Sequence, residues 1–165
     1  MKTITLLRHA KSSWDDSTLV DFDRPLNDRG RKNSPEMAQR LRAAGIRPSL
    51  ILSSPAKRAW STARIFAREI SYPLEFLQRD RDLYHAGLKQ LFDVIATQDE
   101  GFNSILVVGH NPGLTDLANE LVPGLTTNMP TAAFVATLVD TDTWDLRGRR
   151  SVDLIEYNYP KKKQE

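Results

Sequence analysis

The chain has 165 residues, of which 40% are hydrophobic and 27% charged, and its net charge is +2. That is the balance of a globular protein with enough apolar residues to bury a core, and residues 1–165 read as a single domain. With no cysteine, disulfides, thiolate metal sites and cysteine nucleophiles are excluded. No run approaches the ~18 apolar residues of a membrane helix. The segment Met1-Lys2-Thr3-Ile4-Thr5-Leu6-Leu7-Arg8 lacks the apolar stretch and cleavage site of a signal peptide. The expectation is a cytoplasmic protein that binds neither membrane nor nucleic acid. The basic tail Lys161-Lys162-Lys163 reads as a frayed, solvated terminus, because no basic stripe interleaved with aromatics accompanies it.

Strand and helix patterns alternate along the chain. Thr3–Leu7 reads as a buried strand, and residues 28–44 as a helix with Met37, Ala38, Leu41 and Ala44 on one face. Ser49–Ser53 is a second strand, followed by a helix over Pro55–Ile70 with Ala59, Ala63, Phe66 and Ile70 as its stripe. Leu74–Leu77 reads as a third strand, and Leu88, Leu91, Phe92 and Ile95 mark another helix. Ser104–Val108 is the most apolar strand and runs through Gly109-His110-Asn111 into a helix carrying Leu114, Leu117, Ala118 and Leu121. Ala132–Val139 and Ser151–Tyr157 read as two further strands, separated by a polar connection around Arg147-Gly148-Arg149. The class is α/β: a three-layer α/β/α sandwich whose sheet is mostly parallel with an antiparallel edge.

The chemistry gathers where strands end. The first strand ends in Arg8-His9, the second leads into Ser53-Ser54-Pro55-Ala56-Lys57-Arg58, and the strongest ends in Gly109-His110-Asn111-Pro112. In open α/β sheets ligands bind beyond the carboxyl ends of the strands. Parallel strands would therefore bring Arg8, His9, Arg58 and His110 to one edge. Ser54-Pro55 and Asn111-Pro112 each place a capping residue before a proline suited to the first helical position, so two helix N-termini would face the same edge. Free N–H groups, helix dipoles and guanidinium forks together describe a phosphate pocket. Without cysteine, histidine is the available nucleophile: a neutral imidazole can attack phosphorus and form phosphohistidine, while the cations stabilise charge on the equatorial oxygens.

These segments are recognisable. Leu7-Arg8-His9-Ala10-Lys11-Ser12-Ser13-Trp14, Ser53–Ala63 and Val107-Val108-Gly109-His110-Asn111-Pro112 resemble three motifs of the histidine phosphatase, phosphoglycerate-mutase-like superfamily. Leu26-Asn27-Asp28-Arg29-Gly30 matches the turn that opens its first helix, and the resemblance covers essentially the whole chain. Short and without a large inserted cap, the chain looks most like the small SixA-like phosphohistidine phosphatases. Asp82-Leu83-Tyr84-His85-Ala86 and the ending Tyr157-Asn158-Tyr159-Pro160-Lys161 favour that branch. The resemblance implies that His9 is the nucleophile, that Arg8, Arg58 and His110 bind the phosphoryl group with Asn111 beside them, and that no cofactor or metal takes part.

The sequence departs from the pattern at two points. Ala10 replaces the usual glycine, a small change only where φ is negative. The superfamily's usual proton donor is a glutamate after the third strand. The stretch here is Asp80-Arg81-Asp82-Leu83, so Asp82 is the candidate acid, with a solvated loop carboxylate or helix cap as its other reading. Asp80 and the loop residues Asp15, Asp16, Asp21 and Asp23 are further candidates or gate the pocket. Lys11 is read as reaching phosphate or as solvated, Trp14 as a pocket wall or a staple of the loop, and His85 as a packing or surface residue with a substrate contact as its alternative.

The reading that results is a phosphatase, most simply one acting on a phosphohistidine-bearing protein, since an uncapped domain leaves the pocket open to a protein surface. The alternatives are a small-molecule phosphomonoesterase of the same superfamily and a phosphate-binding regulatory module without turnover. Because four basic groups stand where an ion would, hydrolysis is expected to survive EDTA. A reproducible loss restored by Mg²⁺ or Zn²⁺ would overturn that expectation.

Overall fold

The computed structural model describes residues 1–164; Glu165, the last residue of the expected domain, lies outside them. Among the described residues a six-stranded sheet runs in the order β3-β2-β4-β1-β5-β6. The strands β1 (Lys2–Arg8), β2 (Leu50–Ser53), β3 (Gln78–Arg79) and β4 (Ser104–Gly109) are parallel. The remaining two, β5 (Phe134–Val139) and β6 (Val152–Asn158), extend the sheet antiparallel beside β1.

The pleat assigns successive side chains to opposite layers. Ile4, Leu6, Ile105 and Val107 pack with Leu91, Phe92 and Ile95 of α3 (Leu88–Ala96) and with Leu114, Leu117 and Leu121 of α4 (Gly113–Leu121). Leu7, Ile51, Leu106 and Val108 face the other way. They pack on Met37, Ala38 and Leu41 of α1 (Asp28–Ala43) and on Ala59, Ala63 and Phe66 of α2 (Lys57–Glu69). Both faces of the central strands are covered, which is why they read as unbroken apolar runs. This is the expected three-layer α/β/α sandwich, its sheet mostly parallel with an antiparallel edge.

Three expectations need correction. Leu74–Phe76 is a 3-10 turn, not a strand: the N–H of Phe76 donates to Pro73 O at 3.0 Å, and Phe76 is 60% exposed. A short apolar run does not by itself separate strand from turn, and pairing with Leu52 and Ser53 begins only at Gln78. The two prolines do not open their helices. α2 starts at Lys57 with Ala56 as its cap, and α4 starts at Gly113 with Pro112 as its cap. The tail is solvated but not frayed. Arg40 holds the preceding segment against α1 by donating to Asn158 Oδ1, Tyr159 O and Pro160 O, and within the tail the Lys162 N–H donates to Tyr159 O at 3.0 Å and Lys162 Nζ to Tyr157 O at 2.6 Å. No helix among the described residues is long and apolar enough to cross a membrane.

The N-terminus of α1 is fitted to the loop after β1. Asn27 caps it by accepting the Gly30 N–H at 2.8 Å, and the Asn27 N–H donates to Lys11 O at 3.0 Å. A Cβ on Gly30 would collide with that same Lys11 carbonyl. Helix propensity alone predicts that Gly30→Ala stabilises by up to ~1 kcal/mol, whereas overpacking against rigid backbone costs about 1–3 kcal/mol. The collision is with main chain, so the second effect outweighs the first. We expect Gly30→Ala to lower stability by about 1–2 kcal/mol in urea unfolding; a midpoint raised above wild type would refute the close approach.

Candidate active site

Parallel pairing brings three strand ends to one edge. Arg8, the last residue of β1, lies opposite Gly109, the last residue of β4. The His9 N–H donates to Gly109 O at 3.1 Å, and the rings of His9 and His110 stand 5.2 Å apart between centroids. Arg58, in the first turn of α2, reaches His110 Nδ1 with Nη2 at 3.4 Å. His9, Arg58 and His110 are all buried, and they line a cleft of about 380 Å³ together with Arg8. Arg8 donates to Met129 O at 2.8 Å, and the Nε atoms of Arg8 and Arg58 are buried without a hydrogen-bond partner. Such donors are unusual in a folded interior, and the guanidinium forks that carry them belong to residues lining the cleft.

Hydrogen bonds assign both imidazole tautomers. His9 Nδ1 lies 2.7 Å from Ala10 O. A carbonyl only accepts, so Nδ1 holds the proton and Nε2 keeps a lone pair. At His110 the Arg58 guanidinium donates to Nδ1, so Nε2 carries the proton and donates to Ser54 Oγ at 2.7 Å. Burial pushes the His9 pKa down to about 4; the bond to Ala10 opposes this, and the charges of Arg58, Arg8 and Arg24 add to it. Burial, then His9, Arg58 and His85, push His110 down to about 3. Both rings are neutral at pH 7.

The carboxylate in this cleft is Asp21, not Asp82. Among the described residues Asp21 is the acidic side chain lining it. Asp21 Oδ2 accepts from Arg58 Nη2 at 3.0 Å and from Tyr84 Oη at 2.6 Å, and Oδ1 accepts from Arg24 Nε at 3.3 Å. Burial pulls the Asp21 pKa up, but these hydrogen bonds and the Arg58 charge outweigh it and hold the group well below the usual carboxylate range. Asp82 is exposed in the 3-10 turn Arg81–Leu83, where its N–H donates to Asp80 Oδ1 at 2.9 Å. The turn keeps Asp82 out of the lining, while a bridge between Ser12 and Leu26 folds the intervening loop back over the cleft and delivers Asp21.

The family profile for the histidine phosphatase superfamily (branch 1) matches residues 4–100. The chain belongs to the histidine phosphatase superfamily. It is 32% identical over 130 residues to an uncharacterized chloroplastic protein of Arabidopsis thaliana, over 73% of this chain and 59% of that one, so it spans only part of that relative's length. It is 33% identical over 112 residues to an uncharacterized protein of Mycobacterium tuberculosis (strain H37Rv), over 68% of this chain and 67% of that protein. The fold is SixA-like. It matches SixA of Agrobacterium tumefaciens with a TM-score of 0.80 and 27% identity, over 96% of this chain and 98% of that one. A structure of the protein histidine phosphatase SixA complexed with tungstate matches with a TM-score of 0.78 and 25% identity, over 96% and 97%.

Within this superfamily fold the remaining expected residues sort by their contacts. Asn111 lines the cleft, yet its Nδ2 donates to Asn128 Oδ1 and Met129 O, both at 3.0 Å, and its Oδ1 accepts from the Thr115 hydroxyl at 2.8 Å. Its amide thus holds the carbonyl that anchors Arg8. Lys11, Trp14 and His85 all reach the rim. Ala10 is fully buried and is not among the residues with positive φ, so it fits where the family has glycine. Sequence reasoning passed over Arg24, which is buried, bonded to Ser12 Oγ at 2.8 Å and stacked 3.5 Å from the Trp14 ring centroid. Its only signal was a place in the loop before the Leu26–Gly30 turn. Among the described residues no three His, Cys, Asp or Glu side chains are placed to share a metal ion.

The buried neutral imidazoles tie stability to pH. Unfolded, each titrates near 6.5; folded, near 4 for His9 and near 3 for His110. Between those values the unfolded chain binds more protons, so stability is complete above pH 6.5 and is lost as the pH falls toward 4. We expect a loss on the order of 2 kcal/mol per imidazole between pH 7 and 5, read from urea midpoints. An equal slope in the His9→Gln/His110→Gln variant would assign the loss elsewhere.

Proposed function

We propose that the protein is a phosphatase that passes the phosphoryl group through a covalent phosphohistidine at His9, and that its substrate is a phosphohistidine borne on another protein. His9 Nε2 attacks phosphorus, the bond to the leaving group breaks, and water then cleaves the phosphohistidine to release orthophosphate. Arg8 and Arg58 bear the charge on the equatorial oxygens, and His110 Nε2–H is a further donor in reach once Ser54 yields it. The support for the nucleophile is its tautomer and its neutrality: Nδ1 is tied to Ala10 O, and burial keeps the ring uncharged.

One observation carries the choice of substrate: the carboxylate lining the cleft is held ionised by Arg58, Tyr84 and Arg24. An alkoxide needs a proton to leave, and a general acid typically supplies ~10²–10⁴-fold. A phosphorylated imidazole takes its proton on the remote ring nitrogen from solvent and departs neutral. The resting site is therefore suited to a P–N bond and poorly suited to an alkyl ester. The match to SixA structures agrees with this reading.

The ester reading keeps one observation in its favour. Asp21 owes its low pKa to the Tyr84 hydrogen bond and then to Arg58, and a phosphate dianion that draws Arg58 away and adds negative charge would raise it again. Comparing kcat/KM for a phosphohistidine peptide and an alkyl phosphate, in wild type and Asp21→Asn, separates the two. We expect the peptide to be preferred by at least ~10²-fold, with Asp21→Asn costing it less than ~10-fold and Asp82→Asn changing neither substrate. A larger Asp21→Asn loss on the ester than on the peptide would make Asp21 a proton donor. Acid-labile label on a residue other than His9, or undiminished turnover by His9→Ala, would overturn the covalent mechanism at His9, and no turnover of either substrate would leave a phosphate-binding module.

A further inference from the structure

Beside the catalytic cleft lies a second cavity that the reaction does not use. It holds about 450 Å³ and shares Lys11 and Thr131 with the cleft, so the two adjoin at those residues. Beyond Lys11 its lining includes Arg29, Asn33, Tyr159 and Lys161. It contains three cationic side chains and, among the described residues, no carboxylate. Asp28, next to Arg29 in the chain, pairs instead with Arg31.

The backbone around the cavity is held in place. The absence of a side chain at Gly30 lets the Lys11 carbonyl pack against the first turn of α1, which sets Lys11 and Arg29 on one rim. Arg40 clamps the backbone of Tyr159 and Pro160 at 2.7 and 3.3 Å, and the Lys162 N–H donates to Tyr159 O at 3.0 Å, which sets Lys161 on the other. Such positioning lowers the ordering cost of binding an anion there.

We propose that this groove binds a second anionic group of the substrate, a carboxylate or phosphate on the same molecule as the phosphoryl group being removed. This deepens the phosphatase reading and rests on it for which cleft holds the reacting group. In a phosphohistidine protein the second group is an acidic side chain near the modified histidine; in a small molecule it is a second acid function. Tyr159 supplies an apolar wall for the carbon chain between the two charges. The groove therefore selects dianionic or acidic substrates by KM, without touching the reacting atoms.

The test pairs substrates that differ by one charge. Phosphohistidine peptides with Asp or Asn beside the histidine form one pair, and phenyl phosphate with and without a carboxyl substituent forms the other. Each pair is compared in wild type and in Arg29→Gln/Lys161→Gln, whose altered side chains are exposed. We expect wild type to favour the acidic member by about 5-fold, through KM and less so at high salt, and the variant to favour it by less than about 2-fold. A preference in the peptide pair alone assigns the groove to a protein substrate, and in the aryl pair alone to a small molecule. If the peptides are not cleaved but the aryl phosphates are, the phosphohistidine reading fails and the aryl pair alone judges the groove. If nothing is cleaved, calorimetric titration with tripolyphosphate and orthophosphate judges it. The proposal then requires tighter tripolyphosphate binding by about 5-fold in wild type, lost in the variant. A ratio near one in wild type, or one unchanged in the variant, overturns it.

Discussion

The parallel pairing of β1 with β4 is the constraint on which the cleft depends. Its register sets Arg8 opposite Gly109, and the His9 N–H continues the ladder by one bond to Gly109 O. Parallel strands need a long crossover between them; here α1, β2, α2, β3 and α3 intervene, so residues far apart in sequence leave the sheet side by side. A slip of one residue would turn the side chains of β1 to the opposite face and exchange its two core layers. The burial of Leu6 on one layer and Leu7 on the other therefore fixes the position of His9 as firmly as any bond within the site.

Placing guanidinium groups and imidazoles together in one cleft raises the problem of self-repulsion, and the structure resolves it in two ways. The imidazoles give up their charge, with desolvation the largest cause at both. The guanidiniums keep theirs and recruit Asp21, which accepts from Arg58 and Arg24 and from the Tyr84 hydroxyl. For Asp21 the hydrogen bonds outweigh burial; for His9 burial outweighs the one hydrogen bond that opposes it, and for His110 it outweighs the Asp21 charge. The result is an imidazole, His9, without a proton at Nε2 beside cations whose counter-ion is a loop side chain; in the proposed reaction a phosphoryl group replaces that counter-ion.

Much of this was legible before any coordinates, for a physical reason. Apolar runs such as Ser104–Val108 mark buried parallel strands, and in such sheets the ligand edge is the carboxyl end, so Arg8, His9 and His110 could be placed from pattern alone. The acid could not. Asp82 follows the third strand in sequence, but that strand is two residues long and the 3-10 turn after it keeps the side chain exposed. Asp21 reaches the cleft through the Ser12–Leu26 bridge, a long-range pairing with no local signature. Asn111 was half legible. It does take a Thr115 N–H of the following helix, at 3.3 Å, but its amide serves the Met129 carbonyl and so reaches Arg8 only at one remove.

In the proposed reaction the discrimination between P–N and P–O bonds rests on the donors around one carboxylate. A protonated acid in this cleft would require Asp21 to lose the Arg58 or Tyr84 bond, because each stabilises the charged form. The same bonds hold the loop over the site: Phe22 packs edge-on against Tyr84 with ring centroids 5.1 Å apart, and Arg24 stacks on Trp14. Raising the Asp21 pKa by removing a donor therefore also loosens the loop that carries it. The protonation state of the acid and the order of the loop are set by a shared group of side chains. A leaving group that takes its proton from solvent avoids that conflict, since it reacts while Asp21 stays ionised and the loop stays closed.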